Sequence, residues 1–126
     1  MYRTISVIAL CAWASSAQAH EMIPTYPKMS YSHLSGVLKT SVQLFNKREE
    51  IEFYEIGVFD ADFNPVDFAT SNRVVRLPHL QQTTLEIYIR ESDSDVALYI
   101  CSESKLRKGD AVKTRIASRI CSKIKK

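Results

Sequence analysis

A strict alternation of apolar and polar residues constrains the fold of this chain more than any other feature. In TTLEIYIRE (83–91), the aliphatic residues Leu85, Ile87 and Ile89 are separated by polar or charged ones. GVLKTSVQLFN (36–46) repeats the pattern, with positions 38, 40, 42 and 44 on one face. Side chains alternate between the two faces of a β-strand, so this period predicts strands with one buried face.

Segments of similar character recur at short intervals along the chain. Strand-favouring residues are concentrated in IEFYEIGVFD (51–60), VDFA (66–69), NRVVRL (72–77), VALYICSES (96–104) and TRIASRICSKIKK (114–126). Polar clusters between them, including 46–50 and 60–65, are predicted to be turns. About seven strands linked by short turns predict an all-β chain folded as an antiparallel β-sandwich.

The final segment fits two kinds of secondary structure. Its apolar residues at 112, 116, 120 and 124 are four apart, which also suits one face of a helix. Ser118 and Ser122 fill the alternate positions, and isoleucine prefers strands. We expect a strand over Thr114–Lys126, with the helix as the alternative.

The first nineteen residues, MYRTISVIALCAWASSAQA, have the parts of a secretory signal peptide. Arg3 precedes an apolar run at 5–14, and AQA at 17–19 is a small-x-small cleavage site. The run is shorter than the about 20 residues of a membrane-spanning helix. Lipidation at Cys11 is the less favoured alternative, because Leu10 is large. We expect cleavage after Ala19, a single domain over 20–126, and a periplasmic or secreted product without a transmembrane segment.

Two cysteines, Cys101 and Cys121, remain after removal of the signal peptide. An even count in an oxidising compartment predicts a disulfide between them, and two free buried thiols are the alternative. Closing a loop of about twenty residues contributes ~3 kcal/mol in the chain-entropy model. A metal site needs more ligands than two cysteines with no histidine near them in sequence.

The net charge of +3 is unevenly distributed. Residues 20–104 contain 7 Lys and Arg against 13 Asp and Glu, whereas residues 105–126 contain 9 against 1. The basic end either neutralises an acidic body or binds an acidic partner. It lacks the interleaved aromatic residues on which bases stack, so nucleic acid is not an expected partner.

The order of four segments resembles the first domain of periplasmic pilus chaperones. They are LKTSVQLFNKREEIEFYEIGVFD (38–60), NRVVRLPHLQQTTLEIYI (72–89), DVALYICSES (95–104) and RIASRICSKIKK (115–126). Arg76-Leu77, followed by Leu85 and Ile87, matches the family's Arg-Leu and Leu-x-Ile, and residues 123–125 match its Lys-Ile-Lys run. The resemblance implies an immunoglobulin-like antiparallel β-sandwich.

In that family the last strand adds to the incomplete sheet of a pilin and donates apolar side chains to it, while a lysine near its end helps to hold the pilin's terminal carboxylate. By position, the resemblance implies that Ile116, Ile120 and Ile124 are the donors and Lys125 the carboxylate anchor. The implied partner is a pilin-like or other exported subunit, bound by strand addition. The resemblance also implies a disulfide between the last two strands. An exposed apolar edge strand also favours self-association.

The sequence departs from the family pattern at three points. HEMIPTYPKMSY (20–31) contains Lys28 but no arginine, Ser118 stands where a third apolar donor is expected, and the family's second domain would follow Lys126. A fainter similarity, in HEMIPTYP and LFNKRE (44–49), is to small exported immunoglobulin-like proteins of marine phages. The alternative function is therefore a structural or adhesive module of a surface assembly or virion.

His20 would be the first residue after cleavage, and an imidazole beside a terminal amine suits copper. A copper site would also need His33 or His79, with Met22 as a further candidate, and copper binding is the weakest of the three functions. The main expectation includes no metal or cofactor. The carboxylates at 49, 50, 52 and 55 are predicted to be solvated, and no nucleophile motif or glycine-rich phosphate loop is present. We therefore do not expect an enzyme.

Overall fold

The computed structural model describes residues 20–105 and 118–126. These residues form eight strands: β1 Glu21–Ile23, β2 Ser30–Tyr31, β3 Val37–Phe45, β4 Phe53–Phe59, β5 Val74–Arg76, β6 Gln82–Arg90, β7 Tyr99–Lys105 and β8 Arg119–Lys123. A 3-10 turn at Glu91–Asp93 follows β6. The predicted signal peptide and Ile116 lie outside the described residues.

The strands form two antiparallel sheets. In the first sheet, β3 pairs with β6 on one side and with both β1 and β2 on the other. In the second sheet the order is β5-β4-β7-β8. The chain therefore folds as an immunoglobulin-like β-sandwich, which confirms the predicted fold class.

The core lies between the sheets and is made by the alternating residues that the sequence indicated. Leu85, Ile87 and Ile89 of β6 are at most 4% exposed, and Val42 and Leu44 of β3 are at most 1% exposed. The second sheet contributes Tyr54, Ile56, Val58 and Ile100 to the same cluster. Period two thus predicted both the strands and their buried faces.

Two predicted elements differ in the structure. VDFA (66–69) is not a regular strand, because only single bridges at Pro65 and Ala69 connect this region to the sheets. The predicted turn at 46–50 is a connection without regular structure, but Asn46 is fully buried in it and Arg48 is 9% exposed. Both differences arise from contacts with distant strands, which a local pattern does not encode.

Asn46 explains why a polar connection lies inside the sandwich. Its Nδ2 donates to the carbonyl oxygens of Ile51 at 2.6 Å and Leu77 at 2.8 Å. Its Oδ1 accepts from the backbone N–H of Arg48 at 2.8 Å and from the hydroxyl of Tyr54 at 2.5 Å. A buried polar side chain is stabilising only when its hydrogen bonds are made, and these bonds fix the start of β4 against the end of β5.

Candidate functional site: the edge of the last strand

The last strand, β8, is the outer strand of its sheet, and β7 is the one regular strand that pairs with it among the described residues. Ser102 lies opposite Ile120, Ile100 opposite Ser122, and the N–H of Ile124 donates to Leu98 O at 2.7 Å. Backbone groups alternate in direction along an antiparallel strand. The N–H and C=O groups of Arg119, Cys121 and Lys123 therefore point away from β7.

The segment after β1 covers the far half of this edge. Lys123 donates its N–H to Thr25 O at 2.9 Å, and Lys125 donates to Pro27 O at 2.8 Å. Lys28 and Lys125 form a parallel bridge. Among the described residues, none forms backbone hydrogen bonds with the outward groups of Arg119 or Cys121, although β1 lies close to β8. This unpaired stretch is the open part of the edge.

The predicted donor side chains face the chain's own core. Ile124 is 2% exposed and belongs to the core cluster, and the half-buried Ile120 packs against that cluster. Ser122, between them, is 1% exposed. The alternation that marked a strand is thus correct, but its apolar face lies inside the sandwich in this structure. Ile116 lies outside the described residues.

The lysines at the end of the edge are brought together from two parts of the chain. Lys125 is exposed, and its backbone pairs with that of Lys28. Lys123 is also exposed and lies two residues before Lys125, at the end of β8. In the described residues, no ion pair involves any of these three ammonium groups. The sequence indicated Lys125 but gave Lys28 no positional match.

A disulfide fastens the edge strand to its neighbour. Cys101 and Cys121 are directly opposite in the β7–β8 register, and their Sγ atoms are bonded. The predicted bridge is confirmed. It ties together two strands that are consecutive in the sheet and twenty residues apart in sequence.

An aromatic cluster lies on the same outer face as the disulfide. Gly57 is opposite Cys101, and a Cβ at Gly57 would be 2.8 Å from atoms of the Phe59 ring, so the ring occupies the space over the glycine. The guanidinium of Arg119 lies 5.5 Å from the centre of that ring and pairs with Glu103 at 3.1 Å. These contacts hold the Arg119 side chain on the sheet face, away from the open backbone of the edge.

His20 joins the beginning of the described chain to the beginning of β8. Its Nδ1 lies 3.0 Å from Ser118 Oγ, and its Nε2 lies 2.7 Å from Ser102 Oγ and 3.2 Å from Ser102 O. The ring is 2% exposed and packs on Tyr54, with ring centres 4.5 Å apart. A carbonyl oxygen only accepts, so in the neutral ring Nε2 carries the hydrogen and Nδ1 accepts from the hydroxyl of Ser118.

Burial changes the titration of this cluster. Desolvation lowers the pKa of His20 below its ordinary value of 6.5, opposed by the hydrogen bond with the Ser102 backbone and reinforced by the positive charge of Arg48. Burial also raises the pKa of Tyr54 to about 12. The structure thus favours an uncharged His20 that serves as a buried hydrogen-bonding group, a role that sequence spacing did not reveal.

The other residues considered for chemistry are dispersed. His33 packs edge-on against Tyr88, and His79 lies 3.7 Å from Glu49. In residues 20–105 and 118–126, no group of three His, Cys, Asp or Glu side chains is placed to hold a metal ion. The predicted solvated carboxylates are exposed or half-buried; Glu50 pairs with Arg48 at 2.6 Å and Glu55 with Lys105 at 2.9 Å. None of the helical segments in these residues has the length and apolarity required to span a bilayer.

Comparisons with known proteins show a distant likeness in fold. No protein-family model matches the sequence, and no curated protein matches it. Among solved structures, the chain is similar to the crystal structure of the periplasmic chaperone SfaE, with a TM-score of 0.48 and 13% sequence identity. The match covers 82% of this chain and 54% of that chain, so this chain spans about half the length of the chaperone.

Proposed function

We propose that this chain is an exported protein-binding module that takes a segment of a partner as an added strand beside β8. The single observation that carries the proposal is the outward backbone of Arg119 and Cys121, which no described residue pairs. Strand addition uses such groups directly, because an extended segment supplies the complementary N–H and C=O groups along the edge. The fold itself does not specify this activity.

The open stretch is short, and its two ends differ. Towards the carboxyl end, the segment of Thr25 to Lys28 already occupies the edge. A partner strand therefore adds at Arg119 and Cys121, beside the segment of Thr25 to Lys28. Donation of Ile116, Ile120 and Ile124 side chains stays a prediction. With Ile124 in the domain's own core, binding in this geometry rests on the backbone.

The lysines suit an acidic group on the partner. Lys123 and Lys125, with Lys28 bridged to Lys125, concentrate positive charge along the covered part of the edge, next to the open stretch. An ammonium group attracts a carboxylate as a compact point charge, and this attraction is screened by salt. We assign Lys125, with Lys28 beside it, to a carboxylate of the partner, such as a terminal carboxylate.

Two substitutions at one position test the proposal. Proline at 119 removes an N–H that points away from β7, so the β7–β8 hydrogen bonds remain while the added strand loses its first donor. Arg119→Ala is the matched control, because it also removes the Glu103 ion pair and the Phe59 contact but keeps the N–H. Partner capture from cells that export the protein should be retained by Arg119→Ala and lost by Arg119→Pro.

Thermal unfolding of both variants establishes that they are folded. If Arg119→Pro is folded and captures the same exported protein as Arg119→Ala, strand addition at this edge is wrong. Loss of capture in both variants would assign binding to the arginine side chain instead of the backbone.

A further inference from the structure

The first sheet also ends in an outer strand, β6. On one side β6 pairs with β3 along its whole length, from Gln82 to Arg90. On the other side, the described residues provide a single bridge, in which Ala69 and Tyr88 exchange backbone hydrogen bonds of 2.9 Å in both directions. This second edge is on the opposite sheet from β8.

The bridge fixes the direction of every backbone group in β6. Since both groups of Tyr88 point to Ala69, those of Glu86, Thr84 and Gln82 point to the same side, away from β3. The hydrogen bond from Glu91 N–H to Gly36 O at 2.8 Å agrees with this phase, because odd-numbered residues then face β3. No described residue bonds the outward groups of Gln82, Thr84 or Glu86.

This open stretch has defined ends and little protection. Beyond Glu86, the edge is occupied by Ala69. Before Gln82, Leu80 donates its N–H to Asn46 O at 2.8 Å, and Gln81 donates to Pro78 O at 3.1 Å, so the chain turns out of the strand. Residues 82–86 contain no lysine or proline, the residues that commonly block sheet edges.

We propose that β6 pairs with β6 of a second copy of this chain, antiparallel about a two-fold axis at Thr84. In this register Thr84 lies opposite Thr84, and Gln82 lies opposite Glu86 of the second copy. The side-chain amide of Gln82 donates to a Glu86 carboxylate, and facing threonines are favourable cross-strand neighbours. The open stretch is self-complementary about its centre, as an isologous interface requires.

A second copy is the proposed occupant because both the length of the open stretch and the polar character of its side chains suit pairing with itself. The two-fold pairing covers the five residues between the Ala69 bridge and the turn at Leu80, and both copies leave the pairing at Gln82 through that turn. Glu86, Thr84 and Gln82 are all exposed, so the pairing buries no apolar side chain and needs no change in the core. The inference is independent of the strand proposed at β8.

A register-specific cross-link tests the geometry. In an antiparallel hydrogen-bonded pair, opposite Cα atoms are about 5.5 Å apart, within the range of about 4.4–6.8 Å that a disulfide spans. Thr84→Cys should therefore give a covalent dimer under mild oxidation. Gln82→Cys is the matched control, because the two copies of residue 82 are more than about 13 Å apart along the strands. Equal cross-linking of the two variants, or none in Thr84→Cys, overturns the proposal.

The mass in solution supplies the second readout. Light scattering over a concentration series should show dimers of the unmodified protein, loss of the dimer in Thr84→Pro, and unchanged dimers in Arg119→Pro. A monomer at every concentration overturns the proposal, as does a dimer that Arg119→Pro abolishes and Thr84→Pro preserves. If Thr84→Pro does not fold, the cross-link decides. Partner capture that persists in folded Arg119→Pro, with dimers intact, contradicts only the proposed function at β8.

Discussion

The two outer strands β6 and β8 both have outward backbone groups without a partner in the described residues. They differ in the charge, cross-links and covering segments that protect these groups. β8 carries Arg119 and Lys123, is tied to β7 by a disulfide, and is half covered by residues 25–28. Residues 82–86 of β6 have no positive charge and no cysteine, and in the part of the chain that the structure describes no segment pairs with their outward backbone. Charge and cover prevent indiscriminate edge pairing. This difference supports the two proposals, that β8 binds a selected partner and that β6 pairs with a second copy.

The largest expected effect is a difference in unfolding free energy between two proline substitutions in β6, one at a residue whose N–H faces β3 and one at a residue whose N–H faces outward. Leu85 is 4% exposed and directs its N–H to β3, so Leu85→Pro removes a ladder hydrogen bond and buried apolar contacts. We expect a loss of more than about 3 kcal/mol of unfolding free energy. Thr84→Pro, one residue away, should cost the monomer less than about 1 kcal/mol, because no described residue of the same chain bonds its N–H.

Denaturant unfolding of the two variants measures this difference. At concentrations where the protein is monomeric, equal losses for Leu85→Pro and Thr84→Pro would mean that the outward groups of β6 are bonded within the same chain, and the comparison of the two edges would fail. The corresponding pair on β8, Ile120→Pro and Arg119→Pro, should show the same order.

The second effect concerns only β8. Reduction of the Cys101–Cys121 bridge frees a loop of about twenty residues, and the chain-entropy model assigns ~3 kcal/mol to that constraint. A loss of this size lowers the Tm of a domain this small by about 10 °C or more. Calorimetry with and without reductant measures the shift. Cys101→Ser/Cys121→Ser should melt with the reduced protein and ignore reductant; identical melts of the native protein would contradict the bridge.

The smallest effect is a pH dependence near the start of β8. Burial lowers the pKa of His20, so the unfolded chain binds the extra proton first as the pH falls below 6.5, and the unfolding free energy falls with it. His20→Gln should lose about 1–2 kcal/mol at neutral pH, because buried hydrogen bonds are disturbed. The gap between the two proteins should narrow as the pH falls towards about 5.

Urea unfolding at several pH values measures that gap. The control for replacing a histidine is His33→Gln, since the His33 side chain is exposed and lies outside the His20 cluster. A gap that stays constant from neutral to acidic pH would show that His20 titrates equally in both states.

The sequence pattern predicted the strands, their buried faces and the disulfide, because these depend on residues that are close in sequence or few in number. Period two placed Leu85, Ile87 and Ile89 in the core, and the cysteine count paired Cys101 with Cys121. It also gave Ile120 and Ile124 a common face. It could not say whether that face is covered, because coverage depends on the other sheet.

The contacts that the sequence did not reveal join residues far apart in the chain. Lys28 reaches Lys125 through a parallel bridge, and Asn46 receives the hydroxyl of Tyr54 because β4 returns beneath the connection. His20 was considered as a copper ligand, but the structure buries it between Ser102 and Ser118. Such contacts depend on the arrangement of the strands in space, and no short sequence motif predicts them.

The contact between His20 and Ser118 has a consequence for the order of folding. The two residues are separated by 98 positions, and the neighbouring bonds of Thr25 and Pro27 also join the first part of the chain to the last. Contacts of such long sequence separation form slowly, because a long loop must close before they contribute. The contacts of His20, Thr25 and Pro27 with the last strand therefore form only after the chain has been synthesised through β8. Until they form, the edge of β8 that residues 25–28 cover is open to other chains.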